Sequence, residues 1–297
     1  MEMKKYSAVQ QQIIKNVQKL NHLDRRNWQV DNSYYECVQK SIYGCLHFIS
    51  DEFGSAFCYD GKKGLIMTCA HCVIQGVDEE KDDSINISLG NQPLEISAPP
   101  QRKRGRPKKI QEPQQQTKPK QTFHLIFANG EDVECKLVKK NKKLDIAILQ
   151  IIQRGTDISE KIYPQIDIFQ EGELKKFEEL ICIGQPAYHD MENAKSQKTN
   201  YPPFYISKGY FEGYTLDPIY GVQEKELGPL KHSCWTYWGH RGSPIINLQG
   251  KVIGIHNSWN EINGMRHGVS IHAIREFQKL YPHFFSSLSD SKQDQSK

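Results

Sequence analysis

No stretch of this sequence is apolar for the roughly 20 residues that a helix needs to cross a bilayer. Its opening, MEMKKYSAVQQQIIKNVQKL, lacks the apolar run of a secretory signal. Without such a signal the eight cysteines read as reduced thiols, which excludes a disulfide scaffold and points to a soluble intracellular protein. Acid is scarce in one place. Residues 101–120 hold eight basic residues and one acidic one, a charge of +7, while the rest of the chain has 31 basic against 34 acidic residues, or −3. That balance excludes a basic fold and leaves a near-neutral body carrying one cationic segment, the pattern of a tethered contact to a polyanion. Zinc spacing is missing too. Cys69-Ala-His-Cys72 is a lone C-x-x-C with no second pair and no H-x₃₋₅-H, so neither a metal nor a cofactor is expected.

The chain divides by pattern. Residues 1–36 read as a helical extension with Val9, Ile13, Val17 and Leu20 on one face. Short apolar runs broken by glycine from about Cys37 read as strands, and residues 37–152 as a first β-barrel. Within it, DEEKDDSIN at 78–86 reads as a polar loop. Residues 91–121, with five prolines within 99–119 and almost no large apolar side chains, read as a disordered insert. Asn129-Gly130 and Gln249-Gly250 signal hairpins. Residues 153–175 are a connector, 176–271 a second barrel, and 272–297 a helix and tail in which Ile274, Phe277 and Tyr281 share a face. The fold class is all-β, with two antiparallel barrels and helices at both ends.

Three segments carry chemistry. They are Gly54-Ser-Ala-Phe-Cys continuing to Gly64-Leu-Ile-Met-Thr-Cys-Ala-His71, then Leu144-Asp145-Ile-Ala-Ile-Leu, then Gly239-His-Arg-Gly-Ser-Pro244. In this order they resemble the trypsin-like serine proteases, most closely the branch shared with the HtrA-type enzymes. Gly184, Pro186 and Ser207-Lys-Gly209 stand where that family has glycine turns. The resemblance implies a Ser-His-Asp device between two barrels, with His71 as general base and Asp145 as the carboxylate that fixes its tautomer. Taken singly, His71 reads as a half-buried histidine and Asp145 as a strand-end cap.

The third segment departs from that pattern. Where the family has Gly-x-Ser-Gly-Gly-Pro, Arg241 holds the nucleophile position, and a guanidinium is a permanent cation and donor only. Ser243 lies two residues on and is a poor substitute; Cys234 is no better placed. The backbone N–H groups of Gly239 and Arg241 can still form an oxyanion hole. Trp235 stands where the family has its pocket base, to line a substrate cleft or to pack in the core. Phe53 takes the place of the cysteine that would bridge Cys72, and Cys58 could reach Cys72 only if geometry allowed. Arg241 is expected to latch onto Asp145, because a buried guanidinium needs a carboxylate.

Lys103-Arg104-Gly105-Arg106-Pro107-Lys108-Lys109 resembles an AT-hook, whose Arg-Gly-Arg-Pro core is matched in full. Glycine lets the backbone lie in a narrow groove, proline keeps it extended, and the arginines reach along A·T edges. A nuclear-import signal or a solvated charge run is the plainer reading of the same residues. The sequence therefore predicts an inactive trypsin-like homologue in the nucleus, free of membranes. It would be tethered to A·T-rich DNA by residues 102–109, with a peptide or protein ligand in its cleft. An active serine endopeptidase and a nuclear interaction module are the alternatives.

Overall fold

Asn129-Gly130 and Gln249-Gly250 reverse the chain between paired strands, and Gly130 and Gly250 have φ of +87° and +76°, a region that strains any residue with a Cβ. The first turn joins β4 (Thr122–Phe127) to β5 (Asp132–Asn141); the second joins β10 (Pro244–Asn247) to β11 (Val252–Trp259). The computed structural model describes residues 8–18, 34–49, 54–73, 122–152, 161–186, 202–215, 229–260 and 262–286. The acidic stretch 78–86, the insert 91–121 and its motif at 103–109 lie outside the described residues.

Two closed antiparallel barrels form the body. With β1 (Cys45–Phe48), β2 (Ser55–Asp60), β3 (Leu65–Thr68) and β6 (Ile146–Ile151), the first closes in the order β1-β2-β3-β6-β5-β4. The second uses β7 (Glu179–Gly184), β8 (Tyr205–Tyr214), β9 (Leu230–His232) and β12 (Arg266–Ser270), in the order β10-β11-β12-β9-β8-β7. Closure satisfies the backbone groups that an open sheet would leave at its edges.

The period of two along each strand feeds separate cores. On β2, Ala56 and Cys58 point into the first barrel while Phe57 and Tyr59 point out of it; on β6, Ala147 and Leu149 point in while Ile146 and Ile148 point out. The outward set meets Ile181, Ile246 and Ile255 of the second barrel in one shared cluster. That cluster is why β2 and β3 are buried on both faces and read as unbroken apolar runs. The second barrel packs its own interior with Leu180, Cys182, Phe211, Leu230, Ile245 and Ile253.

Helices cover the shared cluster. In α1 (Ala8–Gln18), Ile13, Ile14 and Val17 are buried; Leu20 lies outside the described residues. The reading of strands from about Cys37 is corrected, because Tyr35–Ile42 form α2 and the first strand starts at Cys45. Cys37, Val38, Ser41 and Ile42 fall on one helical face, a 3.6-residue period obscured by the strand pattern that follows. α3 (Ile271–Leu280) is capped by Ser270, whose Oγ accepts from the Ala273 N–H at 3.1 Å, and it buries Ile274 and Phe277. Within the connector, Ile166 and Ile168 are core residues, and Ile168 bridges Val252. Gly209 is not at a turn but inside β8, where a Cβ would stand 2.2 Å from the backbone N of Cys234. Among the described residues no helix is long and apolar enough to cross a membrane.

Candidate active site

After Thr68 closes β3, a short 3₁₀ turn over Ala70–Val73 carries His71 to the edge of the first barrel. The turn is tied to the start of β6. The Ala70 N–H donates to the Asp145 carbonyl at 3.2 Å, and the His71 N–H donates to Asp145 Oδ1 at 3.1 Å. His71 Nδ1 then lies 2.9 Å from Oδ2 and 3.0 Å from Oδ1. Asp145 adopts φ of +53°, a left-handed conformation at the end of the turn in which Asn141 Oδ1 accepts from the Leu144 N–H. Such a conformation is uncommon for a residue with a Cβ, and here it belongs to the residue that holds His71.

Asp145 is buried, and its Oδ2 also accepts from Asn257 Nδ2 at 3.3 Å. Asn257 was missed in the sequence, where its only signal is a polar side chain interrupting the apolar run of β11. Burial pulls the His71 pKa down, but hydrogen bonds with Asp145 and Cys72 overrule it and carry the value up to about 10. Cys72 is held below the usual thiol range by hydrogen bonds with Cys69 and then His71, against the effect of its burial. Cys69, His71 and Asp145 offer ligand atoms within 4.8 Å of one another. They also bond to the protein: His71 and Asp145 pair together, and Cys69 Sγ donates to the His256 carbonyl at 3.4 Å. All eight cysteines are free thiols, with Cys58 buried in the first barrel.

The facing turn comes from the second barrel and is clamped by one residue of the first. Ser55 on β2 donates its N–H to the Arg241 carbonyl at 2.8 Å and its Oγ–H to the Gly239 carbonyl at 2.9 Å, while its Oγ accepts from the Gln185 N–H. Gly239 and Gly242 have φ of +100° and +87°. A Cβ on Gly242 would lie 2.0 Å from the Ser55 carbonyl oxygen and 2.3 Å from Thr68 Oγ1. Two glycines and one serine therefore shape the turn, whichever side chain stands between them. Among the described residues, the N–H groups of Gly239 and Arg241 donate to no protein acceptor.

Arg241 is exposed, with its guanidinium 5.0 Å from the centre of the Trp238 ring. The expected latch is overturned, since Arg241 makes no ion pair with Asp145. Pointing outward spares the guanidinium desolvation, and the Asp145 oxygens are already engaged by His71 and Asn257. Ser243 is fully buried, and its Oγ fills the space beside Gly184, where a Cβ would sit 1.9 Å from it. It makes no hydrogen bond to His71. Cys234 is buried too, its Sγ donating to the Leu180 carbonyl. Trp235 is 49% exposed, so core packing does not describe it. Under the turn, burial keeps His240 neutral with a pKa of about 3, and its Nδ1 accepts from the Tyr237 N–H. The motif residues Arg104 to Lys109 lie outside the described residues.

Comparison with known proteins agrees with this fold. Residues 54–255 match the family described as the trypsin-like peptidase domain. The chain is 24% identical over 136 residues to human serine protease HTRA3, covering 46% of this chain and 26% of that protein. It is 23% identical over 158 residues to zebrafish (Danio rerio) serine protease HTRA1A, covering 53% of this chain and 29% of that protein. The chain thus spans less than a third of either relative. In fold it is similar to the serine endoprotease from Yersinia pestis, with a TM-score of 0.52 and 15% identity over 84% of this chain and 67% of that one.

Proposed function

Because this chain belongs to the trypsin-like peptidase domain family, we propose that it uses a protease cleft for binding while lacking proteolytic activity. The observation that carries this reading is Arg241 at the nucleophile position, its guanidinium turned out over Trp238 while Ser243 is buried against Gly184. A nucleophile must stand within about 3 Å of the base, and a base must be free to take a proton. Arg241 carries a donor-only guanidinium that cannot attack a carbonyl, so the His71–Asp145 pair has no nucleophile beside it to deprotonate. What is left is a shaped turn with unpaired N–H donors, able to hold a peptide carbonyl.

A fluorophosphonate probe tests the reading: the unaltered chain should not label and should hydrolyse no peptide above background, because loss of the serine costs on the order of 10⁶ in turnover. Arg241→Ser should gain labelling, since the Ser55 clamp and the His71–Asp145 pair do not depend on residue 241. The intact pair would also serve an active endopeptidase, but that reading requires Ser243 to leave its buried site. Turnover by the unaltered chain that Ser243→Ala abolishes would overturn the binding reading.

The second part of the proposal is that Lys103 to Lys109 tether the protein to A·T-rich DNA in the nucleus. The carrying observation is the complete Arg104-Gly105-Arg106-Pro107 core in a proline-rich segment. In fluorescence anisotropy, Arg104→Ala with Arg106→Ala should remove the preference for A·T-rich over G·C-rich duplex. Lys108→Ala with Lys109→Ala should weaken both alike and flatten the salt dependence. Retained A·T preference in the arginine variant would leave import or plain charge as the account of this segment.

A further inference from the structure

A thiol, an imidazole and a carboxylate meet where β3 ends. Thr68 stands opposite Ala147 across the β3–β6 pair, which runs the chain after Thr68 alongside Asp145. There Cys69, His71 and Asp145 offer one sulfur, one nitrogen and one oxygen within 4.8 Å of one another. Cys69 and Asp145 are buried, and His71 is exposed. Cys72 hydrogen-bonds with both Cys69 and His71. The sequence shows no zinc spacing here because the carboxylate comes 74 residues after His71.

We infer that Cys69 Sγ, His71 Nδ1 and one Asp145 carboxylate oxygen bind a zinc ion, with Cys72 as the fourth ligand. The inference is independent of whether the cleft binds or cleaves a peptide. Zinc takes sulfur at about 2.3 Å and nitrogen or oxygen at about 2.0 Å in a tetrahedron, which sets ligand atoms about 3.3–3.8 Å apart. Closing from 4.8 Å asks for a shift of roughly 1 Å. The donors suit zinc rather than calcium or magnesium, which take oxygen ligands. Partners that would orient the ligands are in place as well. Asp145 Oδ1 accepts from the His71 N–H at 3.1 Å and Oδ2 from Asn257 Nδ2 at 3.3 Å, which fixes the carboxylate and leaves each oxygen a further lone pair. Those lone pairs face His71 Nδ1 at 2.9 and 3.0 Å, and the Cys69 Sγ–H is given to the His256 carbonyl. Zinc would replace both contacts: the Nδ1 proton and the thiol protons pass to solvent, and the ion stands between the same heavy atoms. Thiolate and carboxylate supply the negative charge that a dication needs away from water.

The test is a cobalt titration of the full chain, stripped of metal with a chelator and followed by absorption. Tetrahedral Co²⁺ held by sulfur shows visible bands and a near-ultraviolet sulfur-to-cobalt transition, a readout that needs no activity. One equivalent should produce both, Zn²⁺ should displace it, and excess Ca²⁺ should not. Cys69→Ser and His71→Gln should each weaken binding more than about hundredfold. Asn257→Ala should cost roughly 10–100-fold, the usual loss for a partner that only orients a ligand. Cys72→Ser should lower the sulfur transition by about half, one thiolate remaining. His71 is exposed, so its variant carries the test if Cys69→Ser fails to fold. An absent sulfur transition, displacement by Ca²⁺, or cobalt binding unchanged in His71→Gln would each overturn the site.

Discussion

The two halves of the cleft are held by different kinds of contact. On the first barrel, His71 and Asp145 keep both the side chains and the positions of an acid–base pair, reinforced by Asn257 from across the cleft. On the second, the turn over Gly239–Ser243 is held through its backbone, with Arg241 outward, His240 buried and neutral, and Ser243 packed beneath. The difference teaches that the shape of such a turn and its reactivity are set by separate residues. Ser55 and two glycines at positive φ fix the shape; one side chain decides the chemistry.

Acid should separate the halves most strongly. His47, His232, His240 and His256 are buried, and burial depresses each pKa below 6.5. As pH falls below 6.5 the unfolded chain gains protons that these rings refuse in the fold, so stability drops. Thermal melts followed by circular dichroism should show a lower midpoint at pH 5 than at pH 7. His71 has the opposite sign: its raised pKa makes the pair fully stabilising below 6.5 and progressively lost as pH climbs through about 10.

Gly242→Ala should break the join between the halves, because the new Cβ would meet the Ser55 carbonyl at 2.0 Å and would also have to adopt φ of +87°. A loss of about 3–5 kcal/mol in urea unfolding is expected, at the upper end for a single substitution. An unchanged midpoint would mean that the Ser55 clamp is not as tight as its distances state. The smallest effect sharpens the first half alone. Asp145→Asn should bring the His71 titration, followed by NMR, from about 10 to near or below 6.5, since burial would remain while the carboxylate was gone. A midpoint that stayed high would reassign the shift to Cys72.

Both barrels and both glycine hairpins were legible in the sequence, because period-two patterning and turn chemistry are local, whereas the His71–Asp145 partnership followed only from the family resemblance. The helix at Tyr35–Ile42 was hidden by the apolar strands that follow it. The direction of Arg241 was not legible either, since it depends on which acceptors around Asp145 are already taken and on the presence of Trp238. Ser55 gave no signal at all: a serine opening a strand becomes a clamp only when a turn more than 180 residues away arrives beside it. Gly209 looked like a turn glycine and is a close-approach glycine inside a strand, two uses of one residue that the sequence does not separate.

The helix that escaped the sequence pattern also sets an order of assembly. Cys37 Sγ donates to the Asn247 carbonyl and Ser41 Oγ to the Gly250 carbonyl, partners 210 and 209 residues downstream. A ribosome adding roughly 5–20 residues per second needs about 10 to 40 s to deliver them. During that time Val38 and Ile42 have no second barrel to cover them. α2 therefore stays an incompletely covered amphipathic helix until the β10–β11 hairpin arrives to seal it.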